Sequence, residues 1–144
     1  MRLRALGPKD LDQIWVLEET VFSLSWSKKQ LATFLGEKQV HFWGIELWEQ
    51  LIAYISWINL FEQAEIWNVA VLPEYRRQGL GSCLLQKALS CLQRDGVKKI
   101  FLEVRETNLP AQKLYLKFGF LFQGRRKKYY PDTQEDALIM LKEI

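Results

Sequence analysis

The densest chemistry in the sequence lies in the run Arg76-Arg77-Gln78-Gly79-Leu80-Gly81-Ser82. It stands between an apolar stretch ending near Leu72 and an amphipathic one beginning at Leu80. Glycine lets main chain approach a ligand closely or take positive φ. The first N–H groups of a helix have no partner inside the helix, and its dipole favours an anion there. Arg76 and Arg77 add positive charge, so the run is a candidate cradle for a diphosphate. The alternative is a glycine-containing turn with solvated arginines. No Gly-Lys-Ser or Gly-Lys-Thr follows, which excludes a Walker A loop, and Leu84 stands where a dinucleotide fingerprint needs a third glycine.

Glu103 is an acidic residue inside the otherwise apolar run Ile100 to Val104. It is either a residue of a solvated outer face or a general base. An α-ammonium has a pKa of about 7.7 to 8.0, so at neutral pH it is mostly protonated and has no lone pair to attack with. A nearby carboxylate can take that proton. Tyr115 falls on the inward side of a helical pattern, where packing is the ordinary role of a tyrosine. Cys83 and Cys91 lie eight positions apart in one helical run. Their axial separation of about 12 Å exceeds the roughly 7 Å that a disulfide spans between Cα atoms, so both are expected reduced and packed. His41 is the only histidine, which excludes a histidine-rich zinc site, and no metal is expected.

Elements must hold these residues in place. Leu3–Leu6 reads as a short strand. Asp10 caps a helix in which Leu11, Ile14, Trp15, Leu17, Glu18 and Val21 share helical spacing. Ser27 with Gln30 makes a capping box for a second helix that Gly36 ends. Strands follow at Val40–Trp48, Leu51–Asn59 and Ala64–Leu72, with a turn at Glu49-Gln50 and a loop from Leu60 to Gln63. Short connections make these three antiparallel neighbours. Leu80, Leu84, Leu85, Ala88, Leu89 and Leu92 form one helical face, closed by Gly96. Lys99–Val104 is a strand. Asn108 caps a helix running to Phe118, with Pro110 in its first turn. Strands near Phe120–Lys127 and Ala137–Glu143 flank a polar turn.

The expected fold is α+β, one domain over 1–144 around a mixed, mostly antiparallel sheet with one crossover unit. The charge of +3 is compatible with an anionic ligand. Neither a secretory leader nor an 18-residue apolar span is visible, so a cytoplasmic protein with no membrane partner is expected.

These motifs resemble the GNAT family of N-acetyltransferases. Its cofactor motif, Arg/Gln-x-x-Gly-x-Gly/Ala, is matched by Arg76, Gly79 and Gly81. The order of elements agrees over essentially the whole chain. The runs Trp67-Asn68-Val69-Ala70-Val71, Leu102-Glu103-Val104-Arg105 with Asn108, and Leu114-Tyr115 with Gly119-Phe120 are similar to the branch that acetylates the N-terminal alanine of a ribosomal protein. One departure is Ser25, where that family has proline before the Trp-Ser pair.

The resemblance implies a three-layer fold with helices on both faces of the sheet and a splayed strand pair at the cofactor site. It implies acetyl-CoA as donor, bound by Val69, Ala70 and Val71 through main-chain groups, by Arg76 to Ser82 (Gln78 and Leu80 included), and by Asn108. It implies Glu103 as base and Tyr115 as the acid that protonates the leaving thiolate, with an ordinary phenol only modestly above a thiol in pKa. The partner implied is the N-terminal segment of a protein, a ribosomal one. Phe22, Leu24, Trp26, Tyr129, Tyr130 and Pro131 are candidates for the wall around it, with satellite core packing as the alternative. Direct nucleic-acid recognition is not expected. Lysine side chains or small amines as acceptors, and a non-enzymatic acyl-CoA-binding module, are the alternatives.

Overall fold

The computed structural model describes residues 1–144. Seven strands form a single sheet in the order β1-β2-β3-β4-β5-β7-β6. The strands are β1 (Arg2–Ala5), β2 (Val40–Leu47), β3 (Gln50–Leu60), β4 (Gln63–Val71), β5 (Lys99–Arg105), β6 (Leu121–Arg126) and β7 (Ala137–Glu143). The helices are α1 (Leu11–Val21), α2 (Lys28–Leu35), α3 (Leu80–Arg94) and α4 (Leu109–Lys117). All pairings are antiparallel except β4 with β5, which α3 joins as a crossover. The architecture is α+β with helices on both faces of the sheet, as the resemblance implies.

Strand β3 is the spine. Leu51 to Trp57 are buried without a break, because helices cover both faces of the sheet. Successive strand residues point to opposite faces, and β4 shows both. The Asn68 amide reaches Glu18 of α1, while the Val69 side chain faces Gly81 of α3. Ser27 and Gln30 form the expected capping box at α2, and the Asn108 side chain accepts from the Ala111 N–H at 3.2 Å.

Some boundaries differ from the sequence reading. The first hairpin turns at Trp48-Glu49, both with positive φ, rather than at Glu49-Gln50. No glycine or asparagine stands there to mark the turn. The loop expected from Leu60 to Gln63 shrinks to Phe61-Glu62, with Leu60 and Gln63 paired across the strands. Cys83 is exposed, so only Cys91 is packed. Gln112 is buried and donates to the carbonyls of Arg105 and Glu106.

Candidate active site

The site begins where β4 and β5 part. They pair in parallel from Gln63 with Lys99 to Ile66 with Leu102, and no further. Beyond that point β4 pairs only with β3, up to Val71, and β5 only with β7, up to Arg105. A register shift makes Trp67 the extra residue, since Ser56 faces Asn68 and Trp57 faces Ile66. Such a bulge bends its strand and strengthens the local twist, which turns β4 away from β5. The half-strand 67–71, with Val69, Ala70 and Val71, therefore presents an unpaired edge to the gap. The splayed pair implied by the resemblance is present.

The turn 76–82 sits at the end of that gap. Arg76 folds back, donating from Nε to the Val71 carbonyl at 3.0 Å. Arg77 has φ 64° and Gly79 φ 78°, both left-handed. A left-handed residue other than glycine stores strain, and such strain collects at functional sites. With this geometry the main-chain N–H groups of Arg77, Gln78, Gly79, Leu80, Gly81 and Ser82 find no well-formed acceptor in the protein. The first closed bond of α3 is Cys83 N–H to the Gly79 carbonyl, 3.0 Å. A free row of donors at the start of a 15-residue helix, flanked by two arginines, is a site for a dianion.

The two glycines differ. A Cβ at Gly79 would meet nothing within 4 Å, so its role is the positive φ. Gly81 lacks a positive φ, and a Cβ there would stand 3.4 Å from Leu114 Cδ2 of α4. That is an ordinary van der Waals contact, so position 81 has room for a methyl group. Tyr115 follows Leu114 on α4 and is buried, its ring edge-on to Phe120. Burial pushes its phenol well above the ordinary value, so the modest gap to a thiol expected from the sequence is widened. A thiolate formed beside it would meet the same desolvation, which raises thiol pKa as well.

On the opposite face of the sheet, Glu65 of β4 shares a groove with Phe101 and Glu103 of β5. Its cleft holds about 170 Å³, closed on one side by Arg126 and Ile139. Arg126 Nε lies 2.8 Å from Glu103 Oε2 and forms an ion pair with it. Burial, then the Glu103 charge, raises the Glu65 pKa. Glu103 raises the Tyr129 phenol, together with partial burial. Tyr130 is pushed up to about 12 by burial and then by Glu103, and it in turn contributes to the shift at Tyr115. Glu103 thus acts on Tyr130, and Tyr130 on Tyr115.

The α1–α2 loop and the β6–β7 turn are tied to each other and to β5. Arg105 donates to both Asp132 oxygens at 3.0 and 2.9 Å and stacks 3.9 Å over the Tyr130 ring. The Ser23 hydroxyl, in the α1–α2 loop, donates to Asp132 at 2.7 Å. Sequence reasoning missed Arg105, Asp132 and Ser23, whose partners are distant along the chain. It also missed Glu18, although an acid on the apolar stripe of α1 was a visible signal. Asn108 caps α4 and is exposed, Leu80 is buried, and Gln78 and Ser82 contribute their N–H groups.

A parted strand pair, a helix N-terminus with free donors and a carboxylate beside the gap together define a transferase of anionic, extended donors. The sequence pattern of the Acetyltransferase (GNAT) family matches residues 11–120, and the chain belongs to that family. It is 39% identical over 139 residues to the putative [ribosomal protein bS18]-alanine N-acetyltransferase of Bacillus subtilis, covering 96% of this chain and 92% of the relative. The crystal structure of the ribosomal-protein-S18-alanine N-acetyltransferase from Escherichia coli superposes with a TM-score of 0.92 at 31% identity, over 99% of this chain and 93% of that one. The PaiA N-acetyltransferase from Thermoplasma acidophilum, solved in complex with coenzyme A, shares the fold at a TM-score of 0.83 and 21% identity, over 99% and 98% of the two chains. The Arg76–Val71 bond holds the turn 76–82 at the end of the unpaired edge 67–71. No cluster of metal-ligating side chains is present, and no helix is long and apolar enough to cross a membrane.

Proposed function

We propose that this chain is an N-terminal protein acetyltransferase that carries acetyl from acetyl-CoA to the α-amine of a protein, the N-terminal alanine of a small-subunit ribosomal protein. The relatives' named activity supports the acceptor. The observation that carries the reading is the row of unpaired donors from Arg77 to Ser82 at the end of a splayed strand pair. Those N–H groups, with Arg76 and Arg77, hold the diphosphate. The free edge of Val69 to Val71 pairs with the amide-bearing arm, and one of its N–H groups stabilises the developing oxyanion, a donor fixed in advance where charge appears. Acetyl-CoA supplies a thioester, which an amine can attack directly.

Glu103 is the base. It draws the ammonium into the groove and takes its proton, directly or through water. Its side chain is 24% exposed, which leaves the carboxylate within reach of an amine or a water. Tyr115 is the acid. Raised by burial, it keeps its proton until sulfur carries charge, then donates. The exposed Cys83 and buried Cys91 have no base beside them, so transfer is direct and not through an acyl-enzyme. We place the protein in the cytoplasm with its ribosomal substrate.

The test is a panel of peptides beginning with Ala, Ser or Met, against free lysine and a polyamine. Mass spectrometry reads the acetylated position. α-Acetylation of the Ala peptide is expected. Turnover of the free amines with every peptide untouched would overturn the acceptor assignment.

A further inference from the structure

Helix α1 buries one carboxylate completely. Glu18 is 0% exposed. Its Oε1 accepts from the Tyr54 hydroxyl of β3 and, at 3.0 Å, from Asn68 Nδ2 of β4. Its Oε2 accepts from the Trp26 main-chain N–H at 2.8 Å. No lysine, arginine or histidine pairs with it. Burial and the neighbouring Glu18 hold Tyr54 well above an ordinary phenol, so its hydroxyl remains a donor. A carboxylate without a cation is costly to bury unless hydrogen bonds fill its lone pairs. The stripe neighbours Ile14 and Leu17 are apolar, and an apolar side chain at 18 would avoid that cost.

Two of the three donors bound to Glu18 come from the α1–α2 loop and from the unpaired half of β4. Trp26 lies in the α1–α2 loop, and its indole meets Trp67 edge-on at 5.5 Å and Phe34 at 4.9 Å. Trp67 is the bulged residue that turns β4 away from β5. Asn68 follows it in the unpaired half of β4, next to Val69. Glu18 itself is sealed from the groove and can touch neither substrate.

We infer that Glu18 is a positioning residue for acetyl transfer, fixing through Trp26 N–H and the Asn68 amide both the loop that receives the acceptor and the half-strand that faces the thioester. The inference rests on the acetyltransferase reading above. A misplacement of catalytic groups by an ångström can cost about a hundredfold in rate, so the network acts on turnover as well as on stability.

The test uses the full chain with Glu18→Gln and Tyr54→Phe, beside Ile45→Val on β2 as a core variant away from the loop. Gln cannot accept from all three donors, and Phe removes one donor at nearly equal volume. Peptide KM and kcat are measured well below Tm, and acetyl-CoA Kd by calorimetry. Expected for Glu18→Gln is a fall in kcat/KM for the peptide of about ten to a hundredfold, with acetyl-CoA Kd little changed. Tyr54→Phe shows a smaller fall of the same kind and serves if Glu18→Gln fails to fold. The Trp26 amide should exchange faster in Glu18→Gln, with amides in the interior of α3 unaffected. Wild-type kinetics in both variants, or an equal loss in Ile45→Val, would overturn the inference. If the wild type acetylates only small amines, the acceptor assignment fails, and the same variants measured on that amine still decide the role of Glu18.

Discussion

Gly79→Ala isolates the part played by backbone conformation in donor binding. Gly79 has φ 78°, and a Cβ there would meet nothing within 4 Å. The substitution therefore creates no clash in the free protein, and its cost is conformational. An L-residue with a Cβ in the left-handed region costs roughly 1–2 kcal/mol. Residue 79 is exposed and its N–H is unbonded, so the free variant can relieve the strain by letting the turn move. Donor binding must then restore it. At 1.4 kcal/mol per tenfold, acetyl-CoA Kd should rise about 5- to 30-fold, with little change in Tm. Gly79→Asn is the companion, because asparagine tolerates the left-handed region, and it should bind closer to wild type than Ala does. Calorimetric titration with acetyl-CoA and a thermal melt measure both. Wild-type affinity in Gly79→Ala would refute the reasoning. So would equal losses in the two variants, which would point to side-chain volume and not to φ.

Glu103→Gln should lower kcat/KM by about 10²- to 10⁴-fold near neutral pH, and the deficit should shrink above roughly pH 8, where the amine loses its proton unaided. A pH–rate profile checks this, and an unchanged rate would remove Glu103 from the base role. Tyr115→Phe should lower kcat by about a hundredfold or more while leaving acetyl-CoA Kd near wild type. Gly81→Ala should not lower Tm, since alanine gains about 1 kcal/mol over glycine inside a helix and the contact falls on the flexible end of Leu114. The acid response of the β6–β7 turn follows from its carboxylates. Arg105, with Ser23, holds Asp132 down to about 2, and Glu135 and Asp136 are also lowered, by Thr107 and Arg125 first. Their contribution is complete above the ordinary carboxylate range and is lost as pH falls through the folded values. Residues 127–136 should therefore loosen between about pH 4 and pH 2, seen as faster amide exchange there than in β3.

Much of this arrangement is legible along the chain because local physics sets it. The α3 stripe, the Ser27 cap, the Asn108 cap and the Pro73 and Gly36 stops each depend on a few adjacent residues. The order of elements then leaves the sheet few topologies. What is hidden is set by contacts across the sheet. Glu103 shows its unusual place in an apolar strand, but not that Arg126 is its neighbour. Ser23 and Asp132 are 109 positions apart, and nothing in either sequence context pairs them. Gly79 and Gly81 look alike in the motif, yet only Gly79 takes the left-handed conformation, and a Cβ at Gly81 meets ordinary contacts. Glu18 occupies a helical position that spacing marks as buried. Only the fold shows the three donors that make its burial tolerable.

The cradle itself is the claim to test first, and a crystal of the acetyl-CoA complex does so. Diphosphate oxygens should accept from main-chain N–H groups between Arg77 and Ser82 at about 2.7–3.2 Å, with the thioester in the gap between Val69 and Glu103. A complex in which those N–H groups stay unbonded while the diphosphate sits elsewhere would contradict the account.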